Sequence, residues 1–266
     1  MLKKLYKHEF YSLFRNLLPV YAALIGLSLV NRLSHLFQAD NMLVSALQNI
    51  STILYVLVIG ATFFVALVII VVRFYKHLLS HEGYLTFTLP VKPTQHIICK
   101  LICGVTVTLA SIAAMIGSLF ILGAGTDTMK EFLSGLSTGY EMFAQMVGTG
   151  LLTVFWIEAV VLVIAYICDG LLMLYASMAI GQQFKNKIGG AVLSYFVIYA
   201  ILQVIAAVIF GILGLVLSDR MDTIFAGDNL TIFAIMAACY IGYEIVISTA
   251  YFLITRYMLN KKLNLE

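Results

Sequence analysis

Apolar residues in this chain gather in long blocks rather than alternating with polar ones. Six blocks stand out, over residues 17–37, 53–72, 101–122, 149–181, 188–217 and 230–257. Each is about 20 residues or longer, the length at which an α-helix crosses ~30 Å of hydrocarbon. Hydrocarbon offers no partner to a backbone N–H or C=O, so such a block must satisfy them internally as a helix. A transmembrane barrel would show strands of roughly ten residues with polar and apolar positions alternating, and no such alternation is present. The pattern predicts an all-α membrane protein with six transmembrane helices.

The blocks are not equivalent. The first is the weakest, since its charge-free part ends at Asn31 and Arg32; the Arg32 side chain is long enough to snorkel to an interface. Pro19 is expected in its first turn, where a missing N–H costs little. The fifth block is charge-free and longer than a bilayer needs, so it should tilt or project. The fourth carries Glu158 and Asp169, and the sixth carries Glu244 near its middle.

Two further segments are amphipathic. In residues 1–16, Leu2, Leu5, Tyr6, Phe10, Leu13 and Phe14 recur at helical spacing, with Lys3, Lys4, Lys7 and Arg15 among them. That describes a helix on the inner leaflet; the alternative is a cytosolic extension of the first span. In the extracellular segment 124–148, Met129, Phe132, Leu133, Leu136, Tyr140, Phe143 and Val147 repeat the spacing, and Gly135 and Gly139 weaken the expected surface helix.

Composition agrees with burial in lipid. The chain is 62% hydrophobic and 11% charged, where a soluble domain carries roughly a quarter charged residues. The distribution of charge sets the orientation. Lys3, Lys4, Lys7 and Arg15, then Arg73, Lys76, Lys92 and Lys100, then Lys185 and Lys187, then Arg256, Lys261 and Lys262 fall on one side of six spans. Only Arg32, Lys130 and Arg220 fall on the other. The positive-inside rule makes the first side cytoplasmic, with both termini and the 73–100 loop. A net charge of +3 with no basic stripe argues against nucleic-acid binding. Cys99, Cys103, Cys168 and Cys239 lie in apolar blocks without paired spacing, as small core residues do. No cleavable signal peptide is expected at the basic start.

The cytoplasmic segment 73–100 reads RFYKHLLSHEGYLTFTLPVKPTQHIICK. Its start continues the second span. Gly83 then offers a helix stop, Pro90 and Pro93 break any continuation, and Thr94 is an expected cap for the next helix. Tyr84, Leu85 and Phe87 are costly on a cytosolic surface unless they pack against a partner or against helix ends.

The run from His81 through Glu82, Gly83, Tyr84, Leu85, Thr86, Phe87, Thr88 and Leu89 to Pro90 and Val91, followed by Lys100 and an apolar span, resembles the ABC-2 type permeases of bacterial ABC transporters. The segment 175–187 (YASMAIGQQFKNK) and the basic amphipathic start are also similar. The resemblance covers most of the chain in topology and about 25 residues in motif. It implies a single permease domain over residues 1–266 in the bacterial cell membrane, with an amphipathic connecting helix at 1–16. It implies two partners: an ATP-binding subunit, and a second permease copy or paralogue. The 73–100 region would carry the coupling element, in which His81, Glu82, Gly83, Tyr84 and Leu85 contact the ATPase. ATP and Mg would bind the partner. This chain has no GxxxxGK[ST] phosphate loop and is expected to hold no cofactor and to catalyse nothing itself. The exported cargo would be a peptide, drug or amphiphile.

The acids within the spans admit two readings. An acid at mid-membrane costs about 2.5–3.5 kcal/mol on insertion scales, so it faces protein or water. Glu158 and Asp169 share a helix face about 16 Å apart along the axis. Glu158 and Glu244 are candidates for a translocation path. Asp169, nearer the cytoplasmic end, is the candidate for a structural pair with Lys100. His77 and His81 have a spacing that can bind metal, but their order with Glu82 does not match a metalloprotease motif, and surface histidines are the simpler reading. The competing functions are an ion-coupled secondary transporter, which the three acids favour, and a non-transport membrane factor. Against a carrier stands the lack of paired repeats and broken helices.

Overall fold

The computed structural model describes residues 2–35, 42–80, 83, 92–217 and 230–261. Among them it is helical, with no strand. Among the described residues seven long α-helices follow one another: α1 Leu2–Ser34, α2 Met42–Phe74, α3 Pro93–Gly123, α4 Asp127–Val147, α5 Thr149–Gly181, α6 Lys187–Leu217 and α7 Leu230–Lys261. All but α4 are long and apolar enough to cross a membrane. The chain therefore has the build of a multi-pass membrane protein.

The apolar blocks located the helices but not all of their ends. Helix α1 runs unbroken from Leu2, with Pro19 inside it rather than in a first turn. Pro19 has no N–H to give the carbonyl of Arg15, and both residues are exposed, so the unmade bond lies away from the packed face. What holds α1 as one helix is a single buried stripe through Glu9, Leu13, Leu17, Tyr21, Leu24, Ser28 and Asn31, spaced three or four apart as one helix face requires. Helix α2 begins at Met42 and α3 at Pro93, each about two turns or more before its charge-free block. Pro93 occupies the first helical position, which suits a residue without an N–H; Thr94 is inside the helix instead of capping it.

The chain divides into two compact units, residues 1–73 with 98–141 and residues 74–97 with 142–266. In the first, buried hydroxyls tie the helices. Tyr21 Oη lies 2.7 Å from Ser111 Oγ and Tyr55 Oη lies 3.0 Å from Ser118 Oγ. Toward the far end of α1, Gln48 Nε2 donates to the Ser34 carbonyl at 2.9 Å, and Ser51 Oγ to Asn31 Oδ1 at 3.3 Å.

In the second unit α5 packs along α6 and α7. The α5–α6 corner is tight. A Cβ on Gly181 would come within 2.5 Å of the Ala191 backbone, and one on Gly190 within 2.6 Å of Phe184. Asn186 starts α6, its Oδ1 accepting from the Gly189 N–H at 3.1 Å, as a good N-cap does. Within this unit a π-helix, Tyr75–Leu79, precedes Ser80, and Phe74 stacks on Tyr175 with ring centroids 3.9 Å apart.

Helix α4 has the amphipathic pattern expected of it, with Phe132, Leu136 and Tyr140 exposed. Gly125 and Gly148 on either side of it have φ of +75° and +77°. Only glycine takes such angles without strain, and the helical run is interrupted at both places.

Candidate functional site

Two polar clusters stand out against the apolar background, one in each unit.

The first is an ion cluster joining three helices. Glu9 lies on the buried stripe of α1, Arg73 at the end of α2 and Lys100 in the second turn of α3. Arg73 Nε donates to Glu9 Oε2 at 2.5 Å, and Lys100 Nζ to Glu9 Oε1 at 2.6 Å. Arg73 Nη1 also donates to Ser12 Oγ at 2.7 Å. The side chains are 9%, 13% and 7% exposed for Glu9, Arg73 and Lys100. One carboxylate thus serves two cations, each oxygen taking one, and the cluster keeps a net positive charge out of water. Such a network holds only while every member stays paired. Arg73 and Lys100 are the two ends of the 73–100 region, so α1 is bonded to both stems of that loop.

Sequence reasoning placed Lys100 with Asp169; the ammonium is bonded to Glu9. Glu9 was missed, although a signal was present. It is the sole acid in the first 39 residues, and it falls four residues from Leu5 and from Leu13, on the apolar stripe rather than among the lysines.

The second cluster belongs to α5 and α7. On α7, Tyr240, Glu244, Ser248, Tyr251 and Thr255 follow one another at helical spacing, and Glu244, Tyr251 and Thr255 are buried. Tyr240 stands one turn before Glu244, and Ser248 Oγ donates to Asp169 Oδ1 of α5 at 3.2 Å. Asp169 and Glu244 are close enough to interact electrostatically. Glu158, further along α5, is half-buried, and its Oε2 is buried with no hydrogen-bond partner. The structure therefore brings Asp169 and Glu244 together. Glu158 lies on the same face of α5 about 16 Å from Asp169 along the axis. Sequence reasoning had no means of choosing Ser248 among the hydroxyls of α7, because the choice depends on how the two helices face each other.

Comparison finds no matching family model, curated protein or solved structure. Function must therefore be argued from the residues.

Of the residues expected to contact an ATPase, His81, Glu82, Tyr84 and Leu85 lie outside the described residues. Gly83 is buried, and its N–H donates to the Ser80 carbonyl at 2.8 Å, closing a turn after the π-helix. His77 lies in the π-helix, and His81, expected to share a helix face with it, lies outside the described residues. Among the described residues no three His, Cys, Asp or Glu side chains converge as a metal site would require.

Chemically the two clusters differ. The Glu9 cluster is saturated with internal partners and suits a mechanical joint. The α5–α7 cluster carries the carboxylates of Asp169 and Glu244, with Glu158 farther along α5, and neither 149–181 nor 230–255 contains a Lys, Arg or His. It has acceptor capacity and negative charge to spare.

Proposed function

We propose that this chain is the transmembrane permease subunit of an ATP-binding cassette transporter of the ABC-2 type, driven by a separate ATPase chain. The observation that carries the reading is the run from His81 to Val91 in the loop that six spans and the basic bias put on the cytoplasmic side. The bonding of that loop's stems supports it. Arg73 and Lys100 are both fastened to Glu9 of α1, so force applied at the 81–85 element passes into three helices at once. A loop on compliant stems would dissipate it.

In this reading both termini are cytoplasmic, and residues 1–16 form the connecting part of α1 at the inner leaflet. His81, Glu82, Gly83, Tyr84 and Leu85 dock in a groove of the ATPase. ATP and Mg belong to that subunit. A second permease, identical or related, completes the path, which Glu158 and Glu244 line. The cargo is a peptide, drug or amphiphile moved outward across the cell membrane.

Co-purification tests the reading. The chain, tagged and extracted in mild detergent from its native cells, should bring down a protein with a phosphate loop. Glu82→Ala with Tyr84→Ala should abolish the association while leaving expression unchanged. Labelling of a cysteine at position 82 from outside the cell would overturn the topology and the reading with it. Ion-gradient-driven uptake by the chain alone would instead establish the secondary transporter, the alternative that the three acids favour.

A further inference from the structure

The α5–α7 interface is unusual in its charge balance. Asp169 and Glu244 sit together within membrane-length helices, with Glu158 on the same face of α5. The basic groups of α6 and α7 stand at helix ends, at Lys187, Arg256 and Lys261. Among the described residues of these helices, the titratable groups that act on Asp169, Glu244 or the tyrosines beside them are phenols and a thiol: Tyr166 and Cys168 of α5, Tyr195 of α6, and Tyr240, Tyr243 and Tyr251 of α7. None of these brings positive charge. Carboxylates in a low-dielectric site gain strongly from any cation that joins them.

Two observations give the site its shape. First, an apolar groove of about 390 Å³ lies between α5 and α7, walled by Val161, Ile164, Cys168, Ile245, Ser248 and Phe252. Ser248 is both a wall of this groove and the donor to Asp169, so one hydroxyl separates the apolar space from the carboxylate. Second, the Tyr251 side chain is 4% exposed and its hydroxyl has no hydrogen-bond partner. It lies on the α7 face of Glu244 and Ser248, within electrostatic reach of Asp169 and Glu244. A buried unbonded hydroxyl is costly, and a ligand entering beside the acids would give it a partner. The rings of Tyr240 and Tyr243, with centroids 6.3 Å apart, flank Glu244 and offer faces to a cation.

We infer that the α5–α7 interface binds an amphiphilic organic cation, its apolar body in the groove and its positive charge held by Asp169 and Glu244. The inference rests on the reading of this interface as part of the transport path, and it narrows the cargo to cationic amphiphiles. Charge complementarity selects this occupant: an anion meets repulsion from both acids, and a neutral acyl chain gains nothing from them.

Tetraphenylphosphonium and tetraphenylborate, alike in shape and opposite in charge, separate these cases. Purified full-length protein in nonionic detergent is dialysed against each, with empty micelles as the reference. Bound ion in excess of the empty-micelle reference, followed as its concentration rises, reports on the site. The cation should bind saturably; the anion should only partition in proportion to detergent. Asp169→Asn with Glu244→Gln should weaken the cation by about tenfold or more. Equal behaviour of the two ions in the unaltered protein overturns the inference, as does undiminished cation binding by the double variant. If the double variant does not fold, the comparison of the two ions decides. Binding needs no ATPase, so an ATPase partner without saturable cation binding sinks this inference alone. Saturable binding without an ATPase partner sinks the permease assignment and leaves the site.

Discussion

Replacing Glu9 by glutamine removes one charge and almost no volume from the first unit, and it should be among the most damaging single substitutions there. In the intact protein two cations share that carboxylate at 2.5 and 2.6 Å, with all three side chains 13% exposed or less. Two charges about 4 Å apart interact by about 4 kcal/mol at an effective dielectric of 20. Desolvation consumes much of that gain while the cluster is whole. Once the carboxylate is gone, the desolvation of Arg73 and Lys100 remains and the two cations repel each other. Breaking a buried pair in this way costs about 3–5 kcal/mol. Glutamine keeps one acceptor oxygen, so about 3 kcal/mol is expected, a large share of the ~5–15 kcal/mol that holds a typical domain together.

The assay has a local and a global part. Denaturant unfolding in micelles gives the total loss. Thiol labelling gives the local one: Cys99 and Cys103 are fully buried beside Lys100, and Cys103 Sγ lies 3.9 Å from the Tyr6 carbonyl of α1. With the exposed Cys239 and the half-buried Cys168 changed to serine, labelling should accelerate as α1 lifts from α3 in Glu9→Gln. Lys100→Met leaves the Glu9–Arg73 pair in place and should cost less. Combined with Glu9→Gln it should cost at least about 1 kcal/mol less than the sum of the two, since contacting residues couple. Loss of under about 0.5 kcal/mol in Glu9→Gln, or strict additivity in the double variant, would refute the account of the cluster as one unit.

Other predictions follow from packing. Gly181→Ala forces a methyl to within 2.5 Å of the Ala191 backbone, and neither helix can yield without opening the corner. It should destabilise by about 1–3 kcal/mol, read as a lowered thermal midpoint, whereas Gly170→Ala, where a Cβ meets nothing, should not destabilise. Helix α4 should lie in a lipid surface by its apolar face. Nitroxides at Leu133, Leu136 and Tyr140 should then be oxygen-accessible, and those at Ser134, Ser137 and Glu141 water-accessible. Equal water access on both faces would contradict this.

Much of this protein could be read from one dimension. Unbroken apolar blocks leave a backbone only the helical way to satisfy itself in hydrocarbon, so the six long helices of 149–181 and its fellows follow from composition by position. The pattern at 129–147 likewise indicated a surface helix, and two flanking glycines interrupt the helical run on either side of it. Helix ends were less legible. The polar first turns of α2 and α3, and Pro19 within α1, gave no apolar signal, and a helix needs none where its neighbours supply bonds to Gln48 and Ser51.

The polar sites divided along the same line. That Glu158, Asp169 and Glu244 lie in membrane-length segments whose only basic residues stand at the ends is a property of the sequence, because it depends only on residue type and distance along the chain. That Glu9 is bonded to Lys100, and that Ser248 answers Asp169, was decided by tertiary structure. Such pairings span 91 and 79 residues of chain. They depend on the rotation of each helix about its axis, which is set by side-chain packing on faces that local periodicity describes but cannot bring together.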